Sequence, residues 1–170
     1  MRLEQRDKEL AAIGASIGSN CRPCVDHHIP AAREAGLSEA ELTQAVATAR
    51  AVRDRAVVLL TSRVEELLGG ESVRPTPGSV AEGSRDEELV AIGASIGANS
   101  HSLLEAHIAA ALGLGLTSTE VGAALAMAER VQRRAAEMTA AKATTTLEDL
   151  SGSAAAVASP LVTNAGEVKK

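Results

Sequence analysis

The sequence predicts an all-α fold made of two similar helical modules in tandem, and three observations carry that prediction. The chain has 170 residues, 45% of them apolar, yet contains no Phe, Tyr or Trp. Its core must therefore be built from Ala, Leu, Ile, Val and Gly; Ala and Leu are strong helix formers, whereas sheets draw on aromatic and β-branched residues. Apolar residues recur at three-to-four spacing, the period of a helix with one buried face. Finally, Glu9-Leu10-Ala11-Ala12-Ile13-Gly14-Ala15-Ser16-Ile17-Gly18 returns as Glu88-Leu89-Val90-Ala91-Ile92-Gly93-Ala94-Ser95-Ile96-Gly97. The offset of 79 residues, that between Glu9 and Glu88, also pairs Asn20 with Asn99, His28 with His107, Gly36-Leu37 with Gly115-Leu116 and Glu41 with Glu120. Two copies are too few for a solenoid and read instead as a dimer fused into one chain.

Each copy reads as three helices. The first runs from about Leu3 to Ser19, with Leu10, Ile13 and Ile17 on one face. Gly14 and Gly18, four apart, allow a close helix approach. Asn20 is a helix-capping residue type, and Pro23 suits a first helical turn, where its missing N–H has no partner to lose. The second helix is thus expected from the cysteines to about Ala35, kinked at Pro30 and closed by Gly36 as a left-handed cap. Ser38-Glu39-Ala40-Glu41 is a capping box that opens the third helix, and Thr117-Ser118-Thr119-Glu120 repeats it. From Ser38 to about Leu68 the stripe Leu42, Val46, Ala49, Val52, Ala56, Leu60, Val64, Leu67 is unbroken. A helix of that length is ~45 Å long, more than one module can cover, so the stripe is expected to pack on its twin or on other subunits.

The expected organisation is a first module over residues 1–68, a Gly/Pro-containing linker over 69–85, a second module over 86–150 and a disordered Ser/Ala/Gly/Val-rich tail over 151–170. The net charge of −5 and the absence of aromatic stacking platforms argue against nucleic-acid binding. No apolar run approaches the ~20 residues that span a bilayer, so no membrane partner is expected, and the first residues lack the apolar core of a signal peptide. A cytoplasmic, reducing compartment is the expectation. There a close cysteine pair is more often redox-active or metal-binding than a structural staple.

The only two cysteines lie in Cys21-Arg22-Pro23-Cys24-Val25-Asp26-His27-His28. On a helix starting near Asn20, Cys21, Cys24 and His28 fall on one stripe. The partial positive charge of a helix N-terminus favours a thiolate there, and His28, one turn beyond Cys24, can take or relay its proton. Such a thiolate attacks a peroxide or a disulfide, and the second thiol closes an internal disulfide. Two other readings stay open: a mixed zinc site of Cys21, Cys24, His28 and Glu9, which lacks the second cysteine pair of a usual structural site, and inert core cysteines. His27 reads as an exposed or packing histidine and His101 as a surface residue. On pattern alone Glu9 has no role, since a glutamate in a first helix is ordinarily solvated.

Glu9, Cys21, Cys24 and His28, with their spacing, resemble the motif of the AhpD-like alkylhydroperoxidases within the carboxymuconolactone decarboxylase family. The resemblance covers roughly Asp7 to Leu68, and more weakly Asp86 to Leu150. It implies an all-helical AhpD-like bundle whose modules pair, here as an intrachain pseudo-dimer, and a homo-oligomer that would be a trimer of pseudo-dimers. It also implies a thiol-dependent peroxidase, or a thiol-disulfide partner of a peroxiredoxin, with Cys24 as attacking thiolate, Cys21 as resolving thiol and Glu9 and His28 as proton relay. Electrons would come from a dithiol donor, a lipoyl group or a thioredoxin-like protein, and neither a cofactor nor a metal is expected. Arg22 and Pro23 stand where relatives carry a histidine between the cysteines. In the second copy Ser100 and Leu103 replace Cys21 and Cys24, while Glu88 and His107 remain. That copy is expected to be structural. A non-redox lyase or isomerase, and a non-catalytic assembly or cargo protein, are the alternative functions.

Overall fold

The computed structural model describes residues 3–70 and 83–157. Every regular element among them is a helix: α1 (Gln5–Gly18), α2 (Arg22–Glu34), α3 (Glu39–Leu67), α4 (Arg85–Gly97), α5 (His101–Gly113) and α6 (Ser118–Val157). The protein is all-α, as its composition requires. Most of the expected linker, residues 71–82, lies outside the described residues, as do residues 158–170 of the expected tail. Helix α6 runs past Leu150 to Val157, so the first residues of that stretch are helical.

The ends of the helices follow local chemistry. Ser38 and Glu41 form a reciprocal capping box at α3, Ser84 and Glu87 do the same at α4, and Thr117 and Glu120 exchange the equivalent bonds at α6. These pairs satisfy backbone N–H groups that have no intrahelical partner. Gly36 and Gly115, at φ +95° and +90°, end α2 and α5 in the left-handed region where a Cβ is costly. Asn20 does not cap α2. It takes φ +53°, as does Asn99, and turns the chain out of α1, a conformation that asparagine tolerates. The cap of α2 is Cys21 itself, whose sulfur accepts from the Cys24 N–H at 3.2 Å. Pro30 lies inside α2, which continues to Glu34.

The chain up to Ala135 is one packed unit. At its centre α1 and α4 lie side by side in the same direction. Cβ atoms built on Gly14 and Gly93 would fall on the carbonyl oxygens of Val90 and Ala11, and those built on Gly18 and Gly97 would come within 2.5 Å of the carbonyls of Ala94 and Ala15. Each contact maps onto another under the 79-residue offset. Only glycine permits this approach, which brings Leu10, Ile13, Leu89 and Ile92 into the core with essentially no exposure. Helix α2 packs on α1, α5 packs on α4, and α3 packs on both α1 and α4.

Two ion clusters tie the start of the central pair and obey the same offset. Arg6 bonds Asp86 and Glu41, each at 2.6 Å; Arg85 bonds Asp7 at 2.9 Å and Glu120 at 3.5 Å. The carboxylates raise the affinity of both guanidinium groups for their protons.

The stripe of α3 divides in two. Leu42, Ala45, Ala49, Val52 and Ala56 are buried, whereas Val57, Leu60, Val64 and Leu67 are exposed. Ala45, rather than the expected Val46, lies on the buried line. From Ala136 onward α6 belongs to a second unit, whose described side chains are exposed apart from half-buried Met138.

Candidate active site

The candidate residues converge at the head of α2. The turn Ser19-Asn20 is fixed by the Cys21 N–H, which donates to the Ser16 carbonyl at 2.9 Å, and Arg53 reaches Asn20 Oδ1 at 3.2 Å. Cys21 then caps α2 and Cys24 lies in its first turn. The two cysteines are joined as a disulfide, with Cα atoms 5.2 Å apart. Both are buried, at 7% and 5% exposure.

His28 follows Cys24 by one helical turn on the same face and is also buried. Its Nδ1 lies 2.8 Å from Glu9 Oε2. With Nδ1 engaged by Glu9, Nε2 is left as the ring nitrogen that can exchange a proton with another group. Gln5 donates to the other oxygen of Glu9 at 2.6 Å. Glu9 is 3% exposed; periodicity assigned it to solvent, and the packing of α2 on α1 places it instead against a histidine. His27 and His101 are exposed, although the His27 ring stands edge-on to His28, centroids 4.8 Å apart.

The second module repeats this geometry without the sulfurs. Ser100 stands at the N-cap position of α5 at φ −97°, ψ 95°, against −97°, 94° for Cys21, but its side chain makes no cap bond. Its N–H donates to the Ser95 carbonyl at 2.9 Å, and His107 Nδ1 lies 2.8 Å from Glu88 Oε2. Among the described residues no group of three or more His, Cys, Asp and Glu side chains stands where it could hold a metal ion. No described helix is long and apolar enough to cross a membrane.

Residues missed by sequence reasoning lie around this centre. Gln5 supports Glu9, and the Ser16 carbonyl anchors Cys21. The repeat already carried the signal for the ion clusters, since Arg6, Asp7 and Glu41 recur as Arg85, Asp86 and Glu120.

An all-helical unit with a cysteine pair capping one helix and a buried Glu–His pair behind it defines a class of small helical proteins with a candidate thiol site. Residues 2–61 match the model of the Carboxymuconolactone decarboxylase family, so this stretch of the chain is similar to that family. No curated protein and no solved structure matches the chain.

Proposed function

We propose that the protein is a thiol-dependent oxidoreductase with one active and one cysteine-free module, reducing hydroperoxides or relaying thiol-disulfide exchange. The observation that carries this reading is the placement of Cys24 one turn before a buried His28 whose Nδ1 is held by Glu9, with Cys21 in bonding range of Cys24. In the reduced protein the Cys24 thiolate attacks the terminal peroxide oxygen; the O–O bond breaks, a sulfenic acid forms on Cys24, and the alkoxide leaves with a proton from His28. The Cys21 sulfur then attacks the Cys24 sulfur, an S–S bond forms and water leaves. A dithiol donor, such as a lipoyl group or a thioredoxin-like protein, returns two electrons and two protons by exchange through a mixed disulfide. A peroxiredoxin is the alternative redox partner. The cytoplasm, where thiols are kept reduced, suits this cycle.

The exposed apolar row on α3, Val57, Leu60, Val64 and Leu67, supports a homo-oligomer, proposed as a trimer of intrachain pseudo-dimers. The test of function is stopped reaction of the reduced protein with an organic hydroperoxide, followed by thiol titration. Rapid loss of thiols in the wild type and none in Cys24→Ser supports the reading; equal, slow loss in both contradicts it. One observation favours a second reading: Glu88 and His107 keep their 2.8 Å contact where no thiol exists. An acid–base lyase or isomerase acting on a small carboxylate would keep its activity after replacement of both cysteines.

A further inference from the structure

The cysteines of the first module are enclosed by the second. Cys21 and Cys24 belong to one buried cluster with Ala12 and Ala15 of α1, Ile96 of α4, and Ala128, Val131 and Ala135 of α6. Four of these neighbours lie beyond residue 83, in the module that has no thiol. All are aliphatic, and the three from α6 lie at i, i+3 and i+7, one stripe along one helix face. Gln132, beside Val131, fixes the helix to the turn after α4 by donating to the Ile96 carbonyl and to Asn99 Oδ1, each at 2.7 Å. The 79-residue offset supplies a control. Ala49, Val52 and Ala56 of α3 are the counterparts of Ala128, Val131 and Ala135, and all six are buried. Ala49 and Val52 belong to the larger core cluster on which Leu103, the residue in place of Cys24, packs. The same Ala-Val-Ala stripe thus closes a site with thiols in one module and a site without them in the other.

We propose that Val131, flanked by Ala128 and Ala135, is the specificity-determining wall of the first module's thiol site, so that the cysteine-free module sets the size of the oxidant that reaches Cys24. This rests on the thiol-peroxidase reading above. The wall is built of small side chains, of which Val131 is the bulkiest, so a change of size there alters what the cluster admits. The wall is a positioning element and takes no part in the bond changes, which remain those of Cys24 and Cys21.

The test compares Val131→Phe, Val131→Ala and the mirror variant Val52→Phe in the full chain. Each reduced protein is mixed with hydrogen peroxide or with cumene hydroperoxide, and thiol loss is followed. Val131→Phe should slow the reaction with cumene hydroperoxide by about tenfold or more relative to hydrogen peroxide, the scale at which a pocket discriminates by size. Val131→Ala should shift the same ratio the other way, and it keeps the proposal testable if the phenylalanine variant does not fold. Val52→Phe carries the same packing burden and should leave the ratio within about twofold of wild type. An unchanged ratio in Val131→Ala, or equal shifts in Val131→Phe and Val52→Phe, overturns the proposal while a reactive wild type leaves the thiol-peroxidase reading standing. An unreactive wild type overturns both.

Discussion

Glu88 Oε2 lies 2.8 Å from His107 Nδ1, the same distance that separates Glu9 Oε2 from His28 Nδ1. Both pairs are buried, and only one has cysteines beside it. The pair therefore serves the packing of each module's first two helices wherever it occurs, and on the proposed reading only the first module adds proton transfer to it. This separates structure from chemistry within a single chain.

The separation predicts matched stability losses and unmatched activity losses. His28→Ala and His107→Ala each strand a buried carboxylate, at a cost of about 3–5 kcal/mol. Thermal melts followed by circular dichroism should show similar decreases for the two. Thiol oxidation by hydroperoxide should slow by about a hundredfold in His28→Ala and stay near wild type in His107→Ala. Equal loss of activity in both would contradict the assignment of one active module.

The central helix contact should be equally sensitive on its two helices. A Cβ on Gly14 or Gly93 meets the carbonyl of Val90 or Ala11, backbone that cannot swing aside. Gly14→Ala and Gly93→Ala are each expected to cost about 2–3 kcal/mol, a melting-point decrease of about 5–10 °C in a protein of this size. A variant that melts within 1 °C of wild type, on the order of the measurement error, would show that the two helices separate freely.

The six helices of the described residues were legible because their signals are local: capping boxes at Ser38 and Thr117, glycine at 36 and 115, and a clean three-to-four period. What was not legible depends on neighbours distant in sequence. Glu9 looks solvated until α2 lies across it. Asn20 looks like a cap, but the sulfur of Cys21 performs that role and Asn20 makes the left-handed turn before it. The α3 stripe reads as uniform, yet only the half facing α1 and α4 is buried. Nothing near Cys21 indicates that Val131, more than a hundred residues on, joins the buried cluster that holds the cysteines.

Acid should weaken the fold through the carboxylates that cap its helices. Hydrogen bonds from the Ser38 hydroxyl and N–H, with Arg6 adding to them, hold the Glu41 carboxyl down to about 2 from its ordinary 4.5. Glu120 is lowered by the Thr117 N–H and hydroxyl, and Glu87 chiefly by the Ser84 N–H. A folded-state value below the unfolded one means that this stability is fully present above about pH 4.5 and is lost as pH falls toward 2. The melting temperature should therefore drop across that window, and less steeply in Glu41→Gln. An identical slope in that variant would remove Glu41 from the account.

The backbone of the second module is preset for a cysteine pair. Ser100 already has the dihedral angles of Cys21 within one degree. The double variant Ser100→Cys, Leu103→Cys should form a second internal disulfide on oxidation, read as four thiols lost rather than two. Retention of two free thiols after oxidation would show that the α3 wall or Leu104 prevents closure.

The most direct test of the central claim is thiol counting and intact mass of the reduced wild type before and after one equivalent of organic hydroperoxide. Absorbance at 280 nm cannot follow this chain, which has no Trp or Tyr. Loss of both thiols with a decrease of about two mass units, the two hydrogens given up when the Cys21–Cys24 bond forms, is the predicted result. Two thiols retained at unchanged mass, or a stable gain of oxygen on Cys24 with Cys21 still free, would contradict it.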